Sequence, residues 1–89
     1  MKSEILLVLG LAGSALVVCA YLLNQLGRLS STDWRFPAAN LAGALAILLS
    51  LTDAWNLPAA MIEVFWAAIS LFGLARAFGR LQAPKTPLR

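Results

Sequence analysis

The chain has 89 residues, 61% hydrophobic and 12% charged, with a formal net charge of +3. That length allows one domain, and so little charge cannot cover the large polar surface that a small water-soluble fold exposes. There is no histidine and a single cysteine, which removes the commonest general base, the commonest metal ligand, an internal disulfide and any multi-cysteine metal site.

The basic balance does not point to nucleic acid. Arg76, Arg80, Lys85 and Arg89 follow a long apolar run, as a tail beside an anionic membrane face would, and no recognition fold accompanies them. Cys19 reads as a small apolar filler within a helix.

In chain order, the first apolar segment covers residues 5–23. Lys2 ahead of it and Leu16-Val17-Val18-Cys19 within it have some of the look of a leader with a lipoprotein box. Val18 is not the small residue that precedes the cysteine of such a box, and the apolar run continues through Ala20-Tyr21-Leu22-Leu23, so a retained span is expected. The link Leu29-Ser30-Ser31-Thr32-Asp33 offers several N-caps, and Pro37 is tolerated only near a helix start. The second segment, residues 36–52, is the shortest; it can borrow length from Trp34 and Arg35 or thin the bilayer locally.

Asp53-Ala54-Trp55-Asn56 follows, with Asn56 as the expected cap just before Pro58. The third segment, residues 57–75, is expected to run on briefly past Arg76, until Pro84 and Pro87 end the helix. Each segment is about 17–19 residues long, roughly what a hydrocarbon core of about 30 Å requires at about 1.5 Å per residue. Backbone groups in lipid must be satisfied internally. The expected fold is therefore an all-α, integral membrane three-helix bundle over residues 1–81, with residues 82–89 as a short, basic, mobile tail.

With three spans, the first link and the C-terminus share one side. That side carries Arg28, Arg35, Arg76, Arg80, Lys85 and Arg89, and the other carries Lys2 alone. The positive-inside rule then places the N-terminus outside and the C-terminus in the cytoplasm, which in a bacterium means the inner membrane. Trp34 and Trp55 stand at opposite ends of the second span as interface anchors, and Arg76 and Arg80 snorkel to the head groups.

Each span carries a stripe of small and polar residues at alternating three- and four-residue steps. These are Gly10, Gly13 or Ser14, Val17, Tyr21 and Asn24; then Asn40, Gly43, Ile47 and Ser50; then Glu63, Trp66, Ser70, Gly73 and Ala77. Gly10, Gly13, Gly43 and Gly73 would let helices approach closely. Depth sorts the polar residues into an outer layer, Glu63 with Gly10, Ser14 and Ser50, and an inner one, Asn40 with Tyr21, Asn24 and Gly73.

A carboxylate at the depth of Glu63 costs at least a few kcal/mol when ionised. The uncharged acid is therefore expected, donating a hydrogen bond to Ser50 or to a carbonyl. It is either a structural carboxyl or a proton- or cation-linked site. Trp66, one turn further in, either packs the bundle or walls a pocket beside Glu63.

The order Gly10, Ala20-Tyr21, Asn40-Leu41-Ala42-Gly43-Ala44, Ser50-Leu51, Asn56, Pro58, Glu63 and Trp66 resembles a family of short, uncharacterised bacterial membrane proteins. Their pattern is Ala-Tyr late in the first span, Asn-Leu-x-Gly-Ala in the second and Glu-x-x-Trp in the third. The resemblance covers about residues 8–74 and implies the fold more than a task. Span count, length and orientation are also similar to the SemiSWEETs, three-helix half-transporters that dimerise around a sugar path. The Pro-Gln pair of their first helix is missing here, which sets their hinge and their sugar substrate apart from this chain. Analogy with them implies packing in the order first, third, second.

No catalytic constellation, cofactor motif or metal spacing is present, so an enzyme is not expected. Two functions remain. One is a packing module that homo-oligomerises or joins a larger membrane complex, with the small-residue stripes as docking faces. The other is a dimeric half-transporter for a small solute, with Glu63 and Trp66 lining its outer half and Asn40 and Tyr21 its inner half.

Overall fold

A computed structural model describes residues 2–82 as three helices: α1 (Lys2–Gln25), α2 (Arg35–Ser50) and α3 (Leu57–Gln82). The tail expected over residues 82–89 lies, apart from Gln82, outside the described residues. α1 and α3 are long and apolar enough to cross a membrane. α2 has 16 residues, about 24 Å at about 1.5 Å per residue, and a turn over residues 51–54 extends it slightly.

The helices pack in chain order. α1 lies against α2 and α2 against α3, and the backbones of α1 and α3 do not approach each other. This corrects the order first, third, second. The reason lies in α2, which is slender on two flanks: Gly43 faces α1, while Pro37 faces α3 at Gly73.

The α1–α2 seam is a close antiparallel backbone contact. A Cβ on Gly13 would stand 2.7 Å from the Gly43 carbonyl oxygen and 2.8 Å from the Ala46 methyl. A Cβ on Gly43 would meet the Gly13 oxygen at 2.7 Å and also run into Val17, and one on Gly10 would lie 2.5 Å from the Ser50 Oγ. Real Cβ atoms do not sit this close to backbone, so glycine is required where the two helices cross. Between Gly13 and Ser14, the seam takes Gly13; Ser14 is exposed and its hydroxyl donates to the Gly10 carbonyl of its own helix at 2.9 Å. Ala20, Ala44, Ala60 and Ala77 form the small buried apolar core. Of these, only Ala77 belongs to the expected stripes.

The helix ends follow local chemistry. α1 stops at Gly27, whose φ of 78° is left-handed. The Gly27 N–H donates to the Asn24 carbonyl at 3.1 Å and the Arg28 N–H to the Leu23 carbonyl at 2.9 Å, the paired bonds of a Schellman stop. Because an L side chain at this φ costs about 1–2 kcal/mol, Gly27→Ala is expected to lower the thermal melting point of the detergent-solubilised protein by several degrees. A melt within a degree of wild type would show that the stop is not needed.

α2 is started by Asp33, whose Oδ1 accepts the Arg35 N–H at 2.9 Å. Pro37 falls in the first turn, where its missing N–H forfeits no helical bond. α3 is capped as expected by Asn56, whose side-chain oxygen accepts the Ala59 N–H at 3.1 Å.

The first link is tied to the far end of α3. The Trp34 and Phe78 rings stack at 6.0 Å, and Arg80 donates to the Thr32 carbonyl at 3.2 Å. Trp55, in the second link, is exposed.

Candidate functional site

Three helices packed in a row with a slender centre leave a groove over the middle one. Here it runs along one face of α2, with Tyr21 of α1 on one wall, Trp66, Ile69 and Ser70 of α3 on the other, and Phe36, Pro37 and Asn40 of α2 at its base. Ser31 and Gly73 complete a cavity of about 260 Å³.

Its lining is apolar except for a few groups, and two of these stand out. Asn40 is 5% exposed and Ser70 is 6% exposed, the two buried polar side chains among the described residues. Both face this groove. The Asn40 Oδ1 is buried with no hydrogen-bond partner, and among the described residues neither side chain is hydrogen-bonded. A carboxamide offers two donors and an acceptor, and a serine hydroxyl offers a donor and acceptor lone pairs. Leaving an atom such as the Asn40 Oδ1 buried and unpaired costs about 1–3 kcal/mol.

The expected inner layer is thus partly assembled: Asn40, Tyr21 and Gly73 line one groove. Asn24 does not join them, because its Nδ2 donates to the Leu29 carbonyl at 2.9 Å and closes the first link instead. Trp66, expected either to pack the bundle or to wall a pocket beside Glu63, is half-exposed and lines the Asn40 groove, which Glu63 does not line.

The outer layer is not joined by hydrogen bonds. The Ser50 hydroxyl donates to the Ile47 carbonyl at 2.7 Å, Ser14 bonds within its own helix, and among the described residues Glu63 makes no hydrogen bond or ion pair. A helical serine can satisfy itself locally by donating to a carbonyl one turn earlier, even one that already accepts a backbone N–H. Periodicity gives the face of a residue but cannot reveal this competition. Among the described residues no three metal-ligating side chains come together.

Charge is concentrated at the first-link end. Asp33 and Arg35 form a forked ion pair at 2.9 and 3.1 Å. The hydrogen bond from Arg35 holds the Asp33 carboxyl below its ordinary value. A depressed carboxylate pKa adds stability above the ordinary carboxylate range and loses it as pH falls through the lowered value. Since the pair is exposed and screened, its contribution is small. The melting difference between wild type and Asp33→Asn should be small and constant from about pH 8 to 5, then fade as the pH falls from the ordinary carboxylate range through the lowered Asp33 value. A difference that grows on acidification would contradict this pairing.

A family model matches residues 6–81, nearly the whole of the three helices. The chain belongs to this uncharacterised bacterial family. No curated protein and no solved structure matches it. The matched region takes in the glycine seam, the Gly27 stop and every residue of the groove.

Sequence reading missed Ser31, Phe36, Pro37 and Ile69 as groove residues. Their position depends on α2 being central, and no periodicity within a single helix encodes that. The Gly27 stop was within reach, since a glycine just past the last apolar residue of a helix is a recognisable signal.

Proposed function

We propose that this chain is a three-span, non-enzymatic protein of the bacterial inner membrane, N-terminus outside, that works as a binding module. It holds one amphipathic bilayer molecule in the groove over α2. The membrane setting is supported by α1 and α3, which are mostly exposed rather than buried as the core helices of a soluble protein would be. Large side chains such as Ile5, Val8, Ile62 and Phe65 face outward, and lipid is the solvent that accepts them. The short α2 spans with the help of its flanking turn and local thinning.

The observation that carries the binding reading is the pairing of Asn40 with Ser70. Two buried, unbonded polar side chains face one otherwise apolar groove. In lipid, intramembrane polar groups find partners because water cannot supply them. The small-residue stripes are already used within the chain, which weakens them as docking faces for other helices.

A second reading keeps self-association, as a packing module or a half-transporter. The specific observation in its favour is concavity: two copies with facing grooves would enclose a path walled by Tyr21 and Trp66 and floored by Asn40. Native mass spectrometry of protein released from membranes separates the two. A small-molecule adduct on the wild-type chain that is lost in Asn40→Leu is the expected result. An adduct-free, stable homodimer, unchanged by Asn40→Leu, would sink the binding module and support self-association.

A further inference from the structure

The groove does not end at Asn40. Towards the first link it opens through Ser31, Ile69 and Gly73 into a mouth bounded by Thr32, Arg76 and Arg80. In the other direction Tyr21 and Trp66 carry it on to a purely aliphatic and aromatic stretch at Val17 and Val18. Its chemistry therefore changes in a fixed order: two guanidinium groups, then a carboxamide and a hydroxyl, then hydrocarbon.

We propose that the groove binds an anionic glycerophospholipid. Its phosphate sits at Arg76 and Arg80, its ester carbonyls accept from the Asn40 Nδ2 and the Ser70 hydroxyl, which unlike the Asn40 Oδ1 are not sealed off, and one acyl chain passes between Tyr21 and Trp66. The proposal rests on the reading of the groove as a binding site and names its occupant. Along α3, Arg76 lies six residues from Ser70, about 9 Å at about 1.5 Å per residue. The guanidinium shortens that distance by leaning back over the Phe72 ring, 5.8 Å from its centroid.

Net negative charge is selected because both guanidinium groups are available. Among the described residues neither forms an ion pair, and the one hydrogen bond at Arg80, to the Thr32 carbonyl, leaves most of its five donors free. Asp33, which shares a neighbouring cavity with Arg80, is already taken up by Arg35 at 2.9 Å. Paired arginines suit phosphate oxygens by shape as well as charge.

The test is lipid titration by native mass spectrometry of the delipidated, detergent-solubilised full chain, with circular dichroism confirming helix content in each variant. The probes are dioleoyl phosphatidylglycerol, dioleoyl phosphatidylcholine and glycerol phosphate. We expect phosphatidylglycerol to bind at a concentration at least about tenfold lower than phosphatidylcholine, reflecting two charge-assisted contacts, and glycerol phosphate not to bind. Arg76→Gln with Arg80→Gln should erase that preference, and Asn40→Leu should weaken both lipids.

Equal binding of the two lipids, both weakened by Asn40→Leu, overturns the anionic choice and leaves the groove reading standing. A preference that depends on the arginines but not on Asn40 places the lipid at the mouth alone and overturns both. Glycerol phosphate binding as tightly as phosphatidylglycerol overturns the lipid in favour of a head-group or phosphate site.

Discussion

Replacing Gly43 by leucine is expected to separate α1 from α2 and abolish the folded protein at ordinary temperatures. Any Cβ here meets the Gly13 carbonyl oxygen at 2.7 Å and collides with Val17. Backbone cannot swing aside as a side chain can, so the helices must part. Overpacking a close seam costs about 1–3 kcal/mol even where side chains can adjust, and this crossing offers them no room. Gly13→Leu should behave alike, since its Cβ lies 2.7 Å from the Gly43 oxygen.

The contrast within the same protein makes the prediction sharp. Gly73→Ala would place a methyl 3.4 Å from the Pro37 ring, ordinary contact, and alanine is the better helix former by about 1 kcal/mol. Gly73→Ala should therefore be neutral or slightly stabilising. Thermal melts followed by circular dichroism in a mild detergent decide the matter. Cooperative unfolding of Gly43→Leu near the wild-type temperature would mean that the α1–α2 crossing does not hold the bundle together.

The second large effect is expected at Asn40 and runs against intuition for a buried residue. Asn40→Leu should raise the melting point of the delipidated protein, because it removes a carboxamide whose Oδ1 is buried without a partner. Leucine is similar in volume, and relieving one unpaired polar group is worth about 1–3 kcal/mol. Added phospholipid should then stabilise the wild type strongly and the variant little, since a ligand stabilises only the state that binds it. If Asn40→Leu instead melts well below wild type without lipid, the carboxamide is holding the bundle together and is not waiting for a ligand.

The behaviour of these two residues marks what can be read from a sequence of this kind. Gly13 and Gly43 announce a close crossing by type and spacing alone, because small residues let helix backbones approach closely. Asn56 before Pro58 likewise marks a helix start, and the Ala59 N–H bonded to its side chain agrees. Asn40 was legible as a polar residue on the buried stripe, but not as an unbonded one. That depends on which helix stands in the middle and on which groups the neighbours bring.

The same limit explains Trp66 and Glu63. Both lie on the stripe of α3, yet a turn of helix carries them past different parts of α2, so that Trp66 reaches the Asn40 groove and Glu63 does not. Asn40 and Tyr21, grouped together by their positions along the helices, do line one groove. The lateral neighbours of each residue required the packing order.

That order has a consequence for how the protein is made. Every close backbone contact between helices joins elements that are consecutive in the chain. The α1–α2 hairpin can close while α3 is still being translated, and α3 then docks on a surface that is already complete. Had α3 stood in the centre, the first two helices would have had to wait apart, with the Gly13–Gly43 seam unmade. Contacts between chain neighbours also form fastest. The packing order thus lets the nascent chain assemble in the order in which it emerges, with no finished helix having to be parted from its neighbour to admit the next.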